Sequence, residues 1–138
     1  MNRSDFQQLS ELRLKEVQAL LGDQYFDGAY YLLGYALEFA FKACIAKQTK
    51  EHDFPPDRKA VEAIYKHRPS ELLKASNLEQ EHDKAKQASA TFADNWKTVE
   101  LWSEQSRYQT GKSENEVADF LSAMVADEGV LTWLKKFW

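Results

Sequence analysis

The chain has 138 residues, 43% of them hydrophobic and 29% charged, which is enough apolar material for one domain with a single core. Its formal net charge of -4 argues against sequence-independent nucleic-acid binding through a broad basic surface, although a local basic site is not excluded. Glycine and proline are scarce, and alternating strand patterns flanked by turn residues are missing throughout. These features predict an all-α fold.

The cellular compartment is indicated by the cysteine content and the N-terminus. Cys44 is the only cysteine and lies on an apolar helical face, so no disulfide framework can form and a reducing compartment is expected. The sequence MNRSDFQQ lacks the apolar core of a signal peptide, and charges interrupt the longest apolar helix. We therefore expect a soluble cytoplasmic protein without a membrane span.

The first predicted helix spans about Ser4 to Leu21. Ser4 and Gln7 form a capping-box pattern, and apolar residues then follow at helical spacing. Gly22 suits the C-terminal cap, and Asp23 suits the N-cap of the next helix. Because the connection has only two or three residues, the first two helices must lie antiparallel.

The second predicted helix, Gln24 to Gln48, is the most apolar. Two adjacent apolar stripes wrap most of its circumference, which predicts a central helix with neighbours on several sides. A third stripe is polar and aromatic, and its members share one face because their spacings are four, three and four. It consists of Tyr31, Tyr35, Glu38 and Lys42. Two interpretations remain open: a surface Glu38–Lys42 pair one turn apart, or a functional or subunit-contact face.

An irregular stretch and two short helices follow. Pro55 and Pro56 exclude a continuing helix. Asp57 can cap a first short helix, and a second is predicted to begin near Pro69, a favoured first-turn residue. His67 lies at the junction between the two.

Two long helices complete the chain. The segment from Glu79 to about Tyr108 contains no glycine or proline and keeps a helical apolar spacing, which predicts one continuous helix. A Ser113–Glu116 capping box opens the last helix, which is predicted to run to the C-terminus with a weak point or kink at Gly129.

Metal chemistry is rejected on spacing. The His-Asp dipeptides at 52–53 and 82–83 resemble the metal-binding pair of metal-dependent phosphohydrolases. One lies beside prolines and the other near the polar start of a predicted helix, so solvated side chains are expected at both. No Cys/His cluster has zinc spacing. No metal and no cofactor are therefore predicted. The remaining candidates are Arg107 and Tyr108, where the arginine either satisfies helix-end carbonyls or belongs to a functional site.

Three segments resemble HEPN domains, in the right order and over nearly the whole chain. YFDGAYYLLGYALEFAFKACIAK closely resembles their signature, a small aliphatic helix that carries a Glu and, four residues on, a Lys. HRPSELLKASNL is similar to their short-helix region, and Trp102 to Tyr108 is similar to the end of their fourth helix. The resemblance implies one domain over residues 1–138, an up-and-down four-helix bundle with additional short helices. It also implies a homodimer whose functional cleft lies between subunits.

The resemblance also carries expectations about function. HEPN proteins typically bind nucleotides or RNA, and many act with a separately encoded minimal nucleotidyltransferase in toxin–antitoxin or related defence systems. Their catalytic members are metal-independent ribonucleases with an arginine, four to six residues and then a histidine. No histidine follows Arg107 here, and an arginine cannot accept the 2′-hydroxyl proton. Cleavage is therefore not expected, unless the fold brings His67 to Arg107.

We accordingly predict a noncatalytic cleft where the polar stripe meets the end of the fourth helix. Glu38 would orient Arg107, Lys42 would add positive charge, and the tyrosines would stack on a base. The predicted site residues are Arg107, Tyr108, Lys42, Glu38, Tyr35, Tyr31 and His67. One alternative makes Glu38 and Arg107 a buried structural pair. Others are a divergent ribonuclease, or an interaction module without a ligand that uses an aromatic tail of Trp133, Phe137 and Trp138.

Overall fold

The computed structural model describes residues 1–49, 58–63 and 65–138, without the side chains of residues 59 and 60, and the regular structure of these ranges is entirely helical. The all-α helical bundle is thus confirmed. Its α-helices are α1 (Arg3–Gly22), α2 (Phe26–Gln48), α3 (Arg58–Ala63), α4 (Pro69–Ala75), α5 (Glu79–Ala88), α6 (Ala90–Glu100), α7 (Glu114–Val125) and α8 (Val130–Leu134), and a 3₁₀ helix spans Glu104–Tyr108.

Helix α2 is the centre of the bundle, as its two apolar stripes predicted. It packs against α1, α4, α7, α8 and the 3₁₀ helix, and Leu33, Leu37 and Phe41 on it are fully buried. Helix α1 lies along it over its whole length after a short connection, and the buried Ser10 hydroxyl donates to the Ala36 carbonyl at 2.7 Å. Apolar burial of this kind is the main stabilising contribution to the fold.

The two predicted capping boxes have different outcomes. The box at Ser113 is confirmed, since the Glu116 amide donates to the serine hydroxyl at 3.1 Å and the Ser113 amide donates to the Glu116 carboxylate at 2.7 Å. The box at Ser4 and Gln7 was wrong, because Asn2 and Asp5 make the same reciprocal pair two residues earlier. Asn and Ser are comparable N-caps, so local pattern alone does not decide between neighbouring candidates.

The predicted helix from Glu79 to Tyr108 is divided into three pieces. Ser89 is extended at φ -143° and ψ 114°, and its hydroxyl accepts from the Phe92 amide at 3.0 Å, which begins α6. A second break follows α6, so Arg107 lies in a 3₁₀ helix instead of the last turn of a long α-helix. Serine competes for backbone hydrogen bonds in helix interiors and prefers caps, which explains the first break.

The last helix is also interrupted, at the residue where a weak point was predicted. Helix α7 ends at Val125, and Gly129 is the N-cap of α8. A Cβ atom on Gly129 would lie 2.3 Å from the Met124 carbonyl oxygen, so only glycine fits this turn. The Thr132 hydroxyl closes the turn by donating to the Ala126 carbonyl at 2.7 Å.

One residue of the aromatic tail, Trp133, belongs to the core, so its interpretation as part of a docking surface was wrong. Trp133 is buried, while Phe137 and Trp138 are half-buried against the core. The Arg3 guanidinium donates to the Trp138 carbonyl at 2.5 Å, which fixes the last residue against α1.

Cys44 is a core residue, as expected. Burial raises the pKa of its thiol to about 12, and the thiol contacts the Leu134 carbonyl at 3.6 Å. Within the described ranges, each helix is too short or too polar to cross a lipid bilayer.

The histidine of the second His-Asp dipeptide is buried, although a solvated position was expected. His82 packs against the rings of Trp96, Phe92 and Trp133 at centroid distances of 4.3, 5.7 and 5.8 Å. Burial, and secondarily the charge of Lys86, lowers its pKa to about 4. The other dipeptide, at 52–53, lies outside the described residues. In the part of the chain that the structure describes, no three His, Cys, Asp or Glu residues are grouped to hold a metal ion.

Acid should destabilise the fold through His82. Because its folded pKa of about 4 lies below the unfolded value of 6.5, the unfolded chain binds the proton more tightly, and stability falls as pH drops from 6.5 towards 4. The loss should reach about 2 kcal/mol by pH 5. Urea unfolding of wild type and His82→Phe between pH 7.5 and 5 measures it. Equal pH dependence in the two proteins would contradict the assignment.

Candidate functional site

Glu38 is the buried centre of the predicted site. Its side chain is 3% exposed, on a helix whose other buried residues are apolar or glycine. One carboxylate oxygen accepts from the Lys42 ammonium at 2.5 Å, and the other is 2.9 Å from Nδ1 of His67. A buried carboxylate is tolerated only when it is paired and hydrogen-bonded, and here both oxygens have a partner. The interpretation as a simple surface pair is therefore wrong.

Local structure explains why His67 reaches α2. Arg68 is extended at φ -71° and ψ 136°, as expected before a proline, and Pro69 begins α4. Leu72 and Leu73 then anchor α4 in the core beside α2. The histidine just before this anchored helix is held against Glu38.

Tyr31 and Tyr35 form the aromatic part of the stripe. Their hydroxyls are 3.3 Å apart and their rings meet edge to face at 5.0 Å. Tyr35 also contacts the rings of Trp102 at 5.5 Å and His67 at 6.4 Å. Burial, and then the Tyr31 hydrogen bond and the Glu38 charge, raises the Tyr35 pKa, while the Arg107 charge opposes this. Tyr35 is consequently a neutral phenol that joins the two halves of the site.

A glycine lets the 3₁₀ segment approach α2. A Cβ atom on Gly34 would lie 1.8 Å from Cε2 of Trp102, so the buried indole rests directly on the helix backbone. This contact fixes the chain just before the 3₁₀ helix. Arg107 and Tyr108 are positioned as a result.

Arg107 does not pair with Glu38, which corrects the predicted arrangement. It is exposed, forms no ion pair with any residue that the structure describes, and stacks its guanidinium 4.7 Å from the centre of the Tyr108 ring. Tyr108 is 72% exposed. The partner of Glu38 is His67, not Arg107. The candidate site therefore consists of a buried Glu38 that pairs with Lys42 and the partly exposed His67, and of an exposed Arg107–Tyr108 pair.

The sequence predicted a cleft of Glu38, Lys42, Arg107 and the three tyrosines, with His67 there only if the fold brought it to Arg107, and it missed the pairing of Glu38 with His67. A carboxylate has two oxygens, and Lys42 satisfies only one of them when both residues are buried. The need for a second hydrogen-bond donor to a buried Glu38 could have indicated from the sequence that a residue such as His67 pairs with it.

The imidazole of His67 is chemically available. Its side chain is 38% exposed, and Nδ1 is occupied by Glu38. When the neutral ring donates from Nδ1, Nε2 is an acceptor. The site thus offers an acceptor nitrogen, a guanidinium fork and an exposed phenol ring.

No family model, curated protein or solved structure matches this chain.

Substitutions in the buried and the exposed parts of the site should have different effects on the free energy of unfolding. Glu38→Gln removes a buried charge that pairs with both Lys42 and His67 and should lower the free energy of unfolding by about 3 kcal/mol. Arg107→Ala should change it by less than about 0.5 kcal/mol, because the side chain is exposed. Chemical denaturation at pH 7 measures both.

Glu62→Gln is the matched control, since it breaks an exposed ion pair with Arg58 that contributes little. A large loss in Arg107→Ala would instead support a buried Glu38–Arg107 pair.

Proposed function

We propose that this chain is a HEPN-like helical module that binds a nucleotide or RNA without cleaving it. The observation that carries the proposal is the exposed Arg107 guanidinium stacked on the exposed Tyr108 ring. A guanidinium matches phosphate oxygens bidentately, and a phenol ring offers a stacking surface for any base. The two groups are adjacent, as a base and its phosphate are in a nucleotide.

The charge around the site supports an anionic ligand. Glu38 is the only acid in the cluster, and the Lys42 ammonium neutralises it at 2.5 Å. Arg107 forms no ion pair with any residue in the described ranges. An exposed guanidinium without an ion-pair partner can therefore attract a phosphate although the net charge of the chain is -4.

The biological setting is proposed from the sequence resemblance. The three HEPN-like segments favour a cytoplasmic homodimer that acts with a separately encoded minimal nucleotidyltransferase in a toxin–antitoxin or defence-type system. The exposed position of Arg107 and Tyr108 is compatible with a ligand held between two subunits.

Calorimetric titration with ATP, a dinucleotide and a short single-stranded RNA tests whether the protein binds a nucleotide or RNA. We expect heat with at least one of them, and binding about tenfold or more weaker in Arg107→Ala, because a charged hydrogen-bonding group is lost. Affinity should also fall with added salt.

Arg13→Ala is the matched control, since Arg13 is a surface arginine paired with Glu16 on α1. If none of the three ligands gives heat, the remaining hypothesis is an interaction module that binds no ligand. An equal loss of affinity in both variants would indicate that the ligand is held only by nonspecific attraction to positive charge.

A divergent metal-independent ribonuclease is the second candidate, and one observation favours it. The Glu38–His67 pair has the arrangement of a carboxylate that orients a general base. His67 and Arg107 both lie near Tyr35, since one contacts its ring and the other acts on its pKa. An imidazole could then accept the 2′-hydroxyl proton while the guanidinium holds the phosphate.

Incubation of total RNA with the protein in EDTA, followed by gel electrophoresis, tests this candidate. From the noncatalytic proposal we expect wild type to give the same intact RNA pattern as His67→Gln and Arg107→Ala. Cleavage by wild type that either substitution abolishes would overturn that proposal and establish the ribonuclease.

A further inference from the structure

A separate concave site, whose lining does not include Arg107, lies beside the 3₁₀ helix. It is a cleft of about 410 Å³ between α2, the end of α6 and α7, and its volume is within the range of small-ligand pockets. Phe120 and Tyr30 form part of its wall, and Leu101, 79% exposed, lies at its edge. The cleft is therefore partly apolar.

Charges of both signs line the cleft, and the Lys112 charge contributes to lowering the Glu116 pKa. The Lys112 ammonium lies 4.3 Å from the centre of the Tyr30 ring and forms no ion pair with Glu116. Hydrogen bonds from Ser113 lower the Glu116 pKa, so this acid is ionised. Asp119, one turn further along α7, has no ion pair or hydrogen bond within the described ranges.

A buried hydroxyl in the same cleft lacks a partner. Ser106 lines the cleft, is 6% exposed, and its Oγ forms no hydrogen bond with any residue that the structure describes. Leaving a buried polar group unpaired carries a cost in stability. A ligand in the cleft could remove this cost once the hydroxyl rotates towards it.

We propose that this cleft binds a small zwitterion, a free α-amino acid with an apolar side chain. The ammonium group of the ligand pairs with Asp119 and Glu116, and its carboxylate pairs with Lys112 and accepts from Ser106. The side chain packs on Leu101 and Phe120. A simple anion would meet two carboxylates, and a simple cation would meet the lysine, so a ligand that carries both charges complements the lining best.

Titration of ¹⁵N-labelled protein with L-leucine, L-methionine and L-phenylalanine, followed by NMR, tests the proposal. We expect saturable shifts at the amides of Ser106 and Gln109 with at least one of them. N-acetyl-leucine lacks the ammonium and leucine methyl ester lacks the carboxylate, so each should bind at least about tenfold more weakly than leucine.

Substitutions identify the counter-ions. Asp119→Asn and Lys112→Met should each weaken amino-acid binding about tenfold, because each removes one charge pair. Asp127→Asn and Lys136→Met are matched controls outside the cleft and should leave affinity unchanged. All four positions are at or near the surface, so the variants should fold.

A further variant separates binding from structure. Ser106→Ala should weaken amino-acid binding while leaving stability unchanged or higher, because the hydroxyl has no partner in the free protein. Arg107→Ala should not affect amino-acid binding, so this proposal and the nucleotide proposal can fail independently. No saturable shift with any amino acid, or equal binding of leucine and both derivatives, would overturn it.

Discussion

The requirement that the buried Glu38 carboxylate be neutralised organises one side of this bundle. Helix α2 is apolar on nearly every face, and a lone charge at that depth would cost several kcal/mol. Lys42 comes from the same helix, one turn away, but His67 comes from a separate segment. The second hydrogen bond therefore ties the turn before α4 to the central helix, and the anchoring of α4 in the core keeps it there. The Glu38 side chain is therefore held by one partner from its own helix and by another from a separate segment.

The exposed part of the site depends on a different constraint, the close contact of Trp102 with α2. This contact brings the 3₁₀ helix against the central helix and leaves Arg107 and Tyr108 facing outward. The functional groups are thus carried on a short irregular element that a rigid scaffold fixes, which is the usual location of binding residues. Tyr35 links both parts, since it contacts Trp102 and His67 and responds to the Arg107 charge.

The sequence predicted those features of the fold that depend on local sequence patterns. The helical class, the central position of α2 and the Ser113 cap follow from local patterns of apolar and capping residues. The breaks at Ser89 and after α6 were missed, because a continuous apolar spacing does not reveal where a serine competes for the backbone. The pairing of Glu38 with His67 was also missed, since it depends on where the fold places a residue 29 positions away. The burial of His82 was missed for a related reason, since two aromatic rings from the next helix, α6, and one from α8 surround it only once the fold has formed.

Direct contact between Gly34 and Trp102 leaves no room for any other residue at position 34 while the indole is in place. A larger side chain there would require a smaller one at 102, so the two positions should vary together among descendants of a common ancestor. Such a coupled pair is a physical marker of shared ancestry that persists after surface positions have diverged. It can therefore guide the alignment of distant sequences in which the helices themselves carry little distinguishing pattern.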